Sequence, residues 1–171
     1  VKTTDIHINQ PGLALGMFYD NLYGDKVRIA RKDDSPFDDD VVRASAEALG
    51  IFIAQLEDAP EIVIAVPSLR RPVLVSDFAK RLSKHIDIPL LDALEHHEQH
   101  PLQADMQNSY QQAFNLINRF EVIASVRGKS LLLVDDITDS RWTLTVLGDL
   151  LQRHGAANVY PFAIVTTDTS A

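Results

Sequence analysis

A chain of 171 residues, 46% apolar and 23% charged, fits one domain of ordinary size with a sizeable core. It has no cysteine, which excludes disulfides and thiolate chemistry and fits a cytoplasmic protein. No apolar run nears the roughly 20 residues of a membrane span, no signal peptide is visible, and a net charge of −8 argues against direct nucleic-acid binding by this segment.

In chain order, residues 1–36 resist assignment. Pro11-Gly12 marks a turn, Leu13 to Tyr19 is apolar without a clear period, and Arg31 to Pro36 reads as an exposed linker. We read 1–36 as a leader packed on the domain, or the remnant of a preceding region, and 37–171 as the domain itself. The chain begins at Val1 rather than Met, which fits a piece of something longer. From Asp38 the pattern sharpens. Asp38, Asp39 and Asp40 sit where a helix N-terminus favours anions, and Val42, Ala46, Leu49, Phe52, Ile53 and Leu56 recur at helical spacing. Helix capping explains this acidic run better than a metal site.

Glu61 to Val66 is a short apolar run after Pro60, expected of a strand buried on both faces. Pro67 to Arg71 then forms a loop, Pro72 suits a first helical turn, and Leu74, Phe78 and Leu82 give the next helix its buried stripe. Ile88 to Leu94 reads as a second strand with Pro89 near its start. Glu95 to Tyr110 is polar, rich in His and Gln, and long for a connection in a compact domain. Ser109 to Phe120 reads as a short helix and Phe120 to Ile123 as a short strand. Leu131 to Val134 is a deeply apolar strand, Arg141 to His154 a helix stopping at Gly155, and Val159 to Val165 the last strand. Strands alternating with helices predict an α/β fold: a mostly parallel twisted sheet with helices on both faces.

Three constellations carry chemistry. Asp135 and Asp136 follow the strand Leu131 to Val134, and in open α/β sheets ligands bind beyond the carboxyl ends of strands. Two adjacent carboxylates repel, and full burial is costly, so they are expected to face a ligand, cation or water. They can accept from vicinal sugar hydroxyls or help place a magnesium ion carried by phosphates. The plain alternative is that they cap the following turn. Asp139, Ser140, Arg141, Trp142 and Thr143 precede a helix, where backbone N–H groups and two hydroxyls can cradle a phosphate. Arg141 adds a charge-assisted contact. Ser68, Leu69, Arg70 and Arg71 follow the other apolar strand, which places Arg70 and Arg71 opposite that turn as ligands for a second anion such as pyrophosphate. An ordinary solvated basic turn explains them equally well on residue type.

Other patterns fail. His96, His97 and His100 match no helical two-histidine metal motif and read as solvated loop residues. Gly128-Lys129-Ser130 imitates the end of a phosphate-binding P-loop, but its first glycine would fall at Ile123 and it precedes a strand rather than following one. An apolar strand ending in two aspartates also imitates a response-regulator receiver, yet no Lys follows the pair.

The run Leu131 to Thr143 resembles the phosphoribosyl-pyrophosphate-binding motif of type I phosphoribosyltransferases. That resemblance implies that Asp135 and Asp136 hold the ribose hydroxyls and that Asp139 to Thr143 receive the 5′-phosphate. It further implies that Ser68 to Arg71 form the pyrophosphate loop and that Glu95 to Tyr110 is the mobile loop over the site. Mg2+ is expected with the ligand, at most in touch with Asp135 and Asp136 through it.

A broader similarity runs through Val66 to Pro72, Asn108-Ser109 with Gln111-Gln112, and Asp139 to Thr145. These segments resemble the phosphoribosyltransferase-like domain at the C-terminus of bacterial RecQ-type DNA helicases, and Gly12 to Leu15 and Phe37 to Val42 resemble what precedes it. The resemblance implies helicase domains in cis, whose ATPase motifs this chain lacks. Active transferases normally carry Gly where Arg141 stands and a small residue where Trp142 stands, because backbone must approach the phosphate closely. A module of such a helicase that binds phosphoribosyl pyrophosphate or a nucleotide-like ligand, with turnover unproven, is therefore the first reading. An active Mg2+-dependent transferase is the second, and a non-catalytic docking module the third. Oligomeric state is open, a homodimer included.

Overall fold

In the computed structural model the described residues are 9–97, 117–138 and 142–167, the side chain of Trp142 excepted. Their elements run β1 (Leu13–Met17), α1 (Tyr23–Asp33), α2 (Asp39–Ile53), β2 (Ile62–Ala65), α3 (Leu74–Ile86), β3 (Leu94–His96), β4 (Phe120–Val122), β5 (Ser130–Thr138), α4 (Trp142–Arg153) and β6 (Asn158–Thr166). The main sheet has the order β1-β6-β5-β2 and every pairing in it is parallel. A separate antiparallel ribbon joins β3 to β4.

Parity along β5 divides the core. Leu132 and Val134 face one way and pack with Val27, Val41, Val42, Leu49 and Phe78 from α1, α2 and α3. Leu131 and Leu133 face the other way, against Leu144, Leu147 and Leu151 of α4 and Phe120 of the ribbon. All four β5 residues are fully buried, which is why the sequence there is a continuous apolar run instead of an alternating one. The α/β sheet with helices on both faces is the expected architecture. The helix that stops at Gly155 is there as α4, and Gly155 takes the left-handed φ of 96° that a C′ position uses.

Four local expectations change. Residues 13–33, read as a leader packed on the domain, supply its edge strand and a helix: β1 pairs with β6 from Leu13↔Phe162 to Met17↔Thr166. Arg31 to Asp33, read as exposed linker, form the last turn of α1. The strand expected over Ile88 to Leu94 shrinks to one bridge, Val63↔Leu90, with β3 starting at Leu94. Pro89 lacks the N–H that a full ladder needs and contributes only its carbonyl, to the Val63 N–H at 2.9 Å. Finally, Asp38 at the N-cap of α2 makes no side-chain capping bond. Asp38 and Asp40 pair instead with Lys26, and Asp39 with Arg81.

The cap that matters for the site comes from elsewhere. Asp34 ends α1 in the left-handed region, and its two carboxylate oxygens accept from the N–H groups of Val73 and Leu74 at 3.2 and 2.9 Å. One residue thus closes α1 through its backbone N–H to the Ala30 carbonyl, and with its carboxylate opens α3 and fixes the end of the loop between β2 and α3. Asp34→Ala is expected to lower stability by about 1–2 kcal/mol, combining a lost cap with a left-handed alanine. Asp34→Asn should retain most of it, as thermal unfolding of the pair would show.

Candidate functional site

Beyond the carboxyl edge of β2 and β5 lies a cavity of about 270 Å³. Pro67, Ser68 and Arg71 line it from the loop after β2, and Asp135 to Thr138 from β5. Thr143 and Leu144 come from the start of α4, His96 and Phe120 from the ribbon, and Arg31 from α1.

The acid pair is not at the end of a strand, as the sequence implied. β5 continues to Thr138 because β6 matches it through Thr138↔Thr166. The two aspartates therefore leave β5 with opposite parity, and both still border the cavity. Asp136 shares the parity of Leu132 and Val134, turns toward α1, and is 3% exposed. Its burial is compensated by Arg31, whose Nη1 donates to both oxygens at 2.7 and 2.6 Å. Asp136 thus meets a protein cation at the border of the cavity. Asp135, on the cavity side, folds back so that Oδ1 accepts from the Asp136 N–H at 2.8 Å. Burial first, and then the neighbouring Asp136 charge, push the Asp135 carboxyl well above the usual carboxylate range, against a smaller opposing pull from Arg31.

This shift has a consequence for stability. Between its ordinary range and the raised one, folded Asp135 holds a proton that the unfolded chain has released, so stability falls as pH rises through that window. Asp135→Asn keeps an acceptor for the Asp136 N–H and removes the titration. The variant is expected to melt above the parent at pH 8 by a few degrees, on the order of 1 kcal/mol, with the advantage vanishing near pH 4. Melting curves across that range check the sign.

In the loop after β2, Ser68 Oγ accepts from the Arg71 N–H at 3.2 Å, which closes a tight turn. Arg71 Nε donates to the Arg31 carbonyl at 2.8 Å, and Arg71 and Ser68 both border the cavity. Arg70 and Leu69 are exposed and lie outside its lining, so of the two arginines singled out in the sequence only Arg71 reaches the site. Of the expected phosphate turn, Thr143 borders the cavity. Asp139, Ser140, Arg141 and the Trp142 side chain lie outside the described residues, as do His100 and the segment 98–116 that holds most of the expected loop and short helix.

Two residues escaped the sequence reading. Arg31 was hidden in a run that looks like linker, although it stands one turn after the buried Val27 and so on the inner face of α1. His96 is no solvated loop histidine. Its ring stacks on Phe120 with centroids 4.5 Å apart, and it borders the cavity together with Pro67 of the loop after β2. Burial, ahead of the Arg119 and His97 charges, holds its pKa below the usual imidazole value. His97 instead sits at the surface, 3.2 Å from Glu121.

Among the described residues no group of three or more His, Cys, Asp or Glu could enclose a metal. A magnesium ion fits here only in the manner of phosphate-borne magnesium, through one or two carboxylates and mostly ligand oxygens. Nor is any helix among the described residues long and apolar enough to cross a membrane.

The cavity can be compared with known proteins. No curated protein matches the chain. Among solved structures, a purine phosphoribosyltransferase from Pyrococcus horikoshii is 19% identical with a TM-score of 0.49, over 78% of this chain and 76% of that one. The adenine phosphoribosyltransferase of Leishmania tarentolae is 15% identical with a TM-score of 0.48, over 75% and 59%. A phosphoribosylpyrophosphate synthetase from Mycobacterium smegmatis is 19% identical with a TM-score of 0.47, over 72% of this chain and only 33% of its own length. The model of the phosphoribosyl transferase domain matches residues 52–167, from α2 through β6. With more than half of its length so matched, the chain belongs to the phosphoribosyl transferase domain family.

Proposed function

We propose that the cavity binds phosphoribosyl pyrophosphate or a closely related phosphorylated ribose. The observation that carries this reading is the convergence of Asp135, Asp136, Ser68, Arg71 and Thr143 on one cavity, in a chain of this family. In the reading, Asp135 takes a ribose hydroxyl and Asp136, held in place by Arg31, backs it. Ser68 and Arg71 take the pyrophosphate, and the turn ahead of α4 takes the 5′-phosphate at a helix N-terminus. A protonated Asp135 can donate as well as accept, which suits a hydroxyl partner. Magnesium, brought by the ligand, would be held mostly by ligand oxygens, would touch Asp135 only in its ionised form, and would offset phosphate charge.

Phosphoribosyl transfer to a nitrogenous base is the second reading, favoured by the family itself. There the protein would stabilise charge as pyrophosphate departs, with Arg71 and the loop N–H groups as donors. Incubation with phosphoribosyl pyrophosphate, magnesium and a panel of purine and pyrimidine bases tests it. Pyrophosphate release that depends on one base establishes transfer. Release with none, while the ligand still binds, leaves a binding module.

The placement of the domain at the C-terminus of a RecQ-type helicase is proposed on the motifs Val66 to Pro72 and Asp139 to Thr145. Helicase motifs encoded in frame upstream would support it, and an unrelated upstream reading frame would end it.

A further inference from the structure

We infer that Arg31 is a pyrophosphate ligand of this site, a role that the sequence motifs do not assign to it. The inference rests on the binding reading above and adds a residue from α1, outside the matched family segment of 52–167. Three observations carry it.

Arg31 lines the same cavity as Ser68 and Arg71. Its backbone carbonyl holds the Arg71 side chain through the 2.8 Å bond from Nε, so Arg71 is fixed against the end of α1 and both arginines border one cavity. Its own guanidinium is only partly committed: Nη1 makes both bonds to Asp136, and the side chain remains 27% exposed. A guanidinium carries five N–H donors on two edges, and the edge left over is not hydrogen-bonded to any described residue.

An uncommitted guanidinium edge on the same cavity as a second arginine and a serine matches the chemistry of a diphosphate. A role as counter-ion to Asp136 alone would require neither the exposed edge nor the bond that pins Arg71 next to it. The arrangement also links the two halves of the ligand. Arg31 orients Asp136 behind the ribose acid with one nitrogen and meets the anion with the others, so a sugar carrying a diphosphate gains from both.

Arg31→Lys separates the roles. Lysine keeps the charge that Asp136 needs but loses the planar second edge. Binding of inorganic pyrophosphate with magnesium, followed by calorimetry, is expected to weaken at least tenfold in Arg31→Lys while urea unfolding stays near that of the parent. Should lysine fail to hold the pair together, Asp136→Asn and the double variant Arg31→Met with Asp136→Asn decide the matter, since neither leaves a buried carboxylate unpaired. The double variant should then bind pyrophosphate at least tenfold more weakly than Asp136→Asn alone. Equal affinity in whichever comparison applies overturns the assignment while leaving the binding reading intact. A parent protein that binds neither pyrophosphate nor phosphoribosyl pyrophosphate at millimolar concentration overturns both.

Discussion

Arg31→Met should lower the unfolding free energy by about 3 kcal/mol, the low end of the cost of stranding one member of a buried ion pair. Asp136 has only 4% of its side chain exposed, and Arg31 is the cation that meets both of its oxygens. Remove the guanidinium and that carboxylate must protonate, recruit water into a close-packed face, or move. The partial exposure of Arg31 places the effect at the low end, because water can reach the vacated space. Adding Asp136→Asn should recover more than half of the loss, since a neutral amide needs no counter-charge. Urea unfolding of the parent, single and double variants reads this directly. A single-variant loss under about 0.5 kcal/mol would mean that the pair behaves like a surface salt bridge.

Replacing both acids, Asp135→Asn with Asp136→Asn, should weaken phosphoribosyl pyrophosphate binding about a hundredfold or more, near 2.7 kcal/mol. The size follows from losing the Asp135 hydrogen bonds to sugar hydroxyls together with the charged Asp136 that backs them, roughly 0.5–1.5 kcal/mol for a neutral bond and 1.5–3 for one to a charged group. Fold loss is not expected to confound the result, because removing the raised carboxyl of Asp135 relieves a cost at neutral pH. Calorimetry with magnesium present measures it, after circular dichroism has shown the variant folded. Unchanged affinity would move the ribose subsite away from β5.

The chain shows its core plainly and its periphery poorly, for physical reasons. Leu131 to Val134 could only be a strand covered on both faces, and the acids behind it could only belong to a strand end or its continuation. Gly155 announced the end of α4 through its left-handed backbone. β1 was opaque because an edge strand with every residue half-buried has neither a continuous apolar run nor strict alternation. The strand expected after Ile88 was overstated because apolar content is visible in sequence while the missing N–H of Pro89 limits pairing.

At the site, the sequence located Ser68 and Arg71 after a strand, Thr143 at a helix start, and Asp135 and Asp136 behind an apolar run. It could not locate Arg31, since that residue arrives from α1, 105 positions away from Asp136. Nor did it foresee that the two acids lie within β5, because the ladder of β6 extends the strand past them. The helical spacing of Gly24, Val27 and Ala30 was the one available signal that Arg31 lay on an inward face.

Titration of the unsubstituted protein with phosphoribosyl pyrophosphate and magnesium, followed by calorimetry, tests the account at its centre. A single saturable site with micromolar to sub-millimolar affinity, weakened by excess inorganic pyrophosphate, is the expected result. The absence of any binding at millimolar ligand would contradict it.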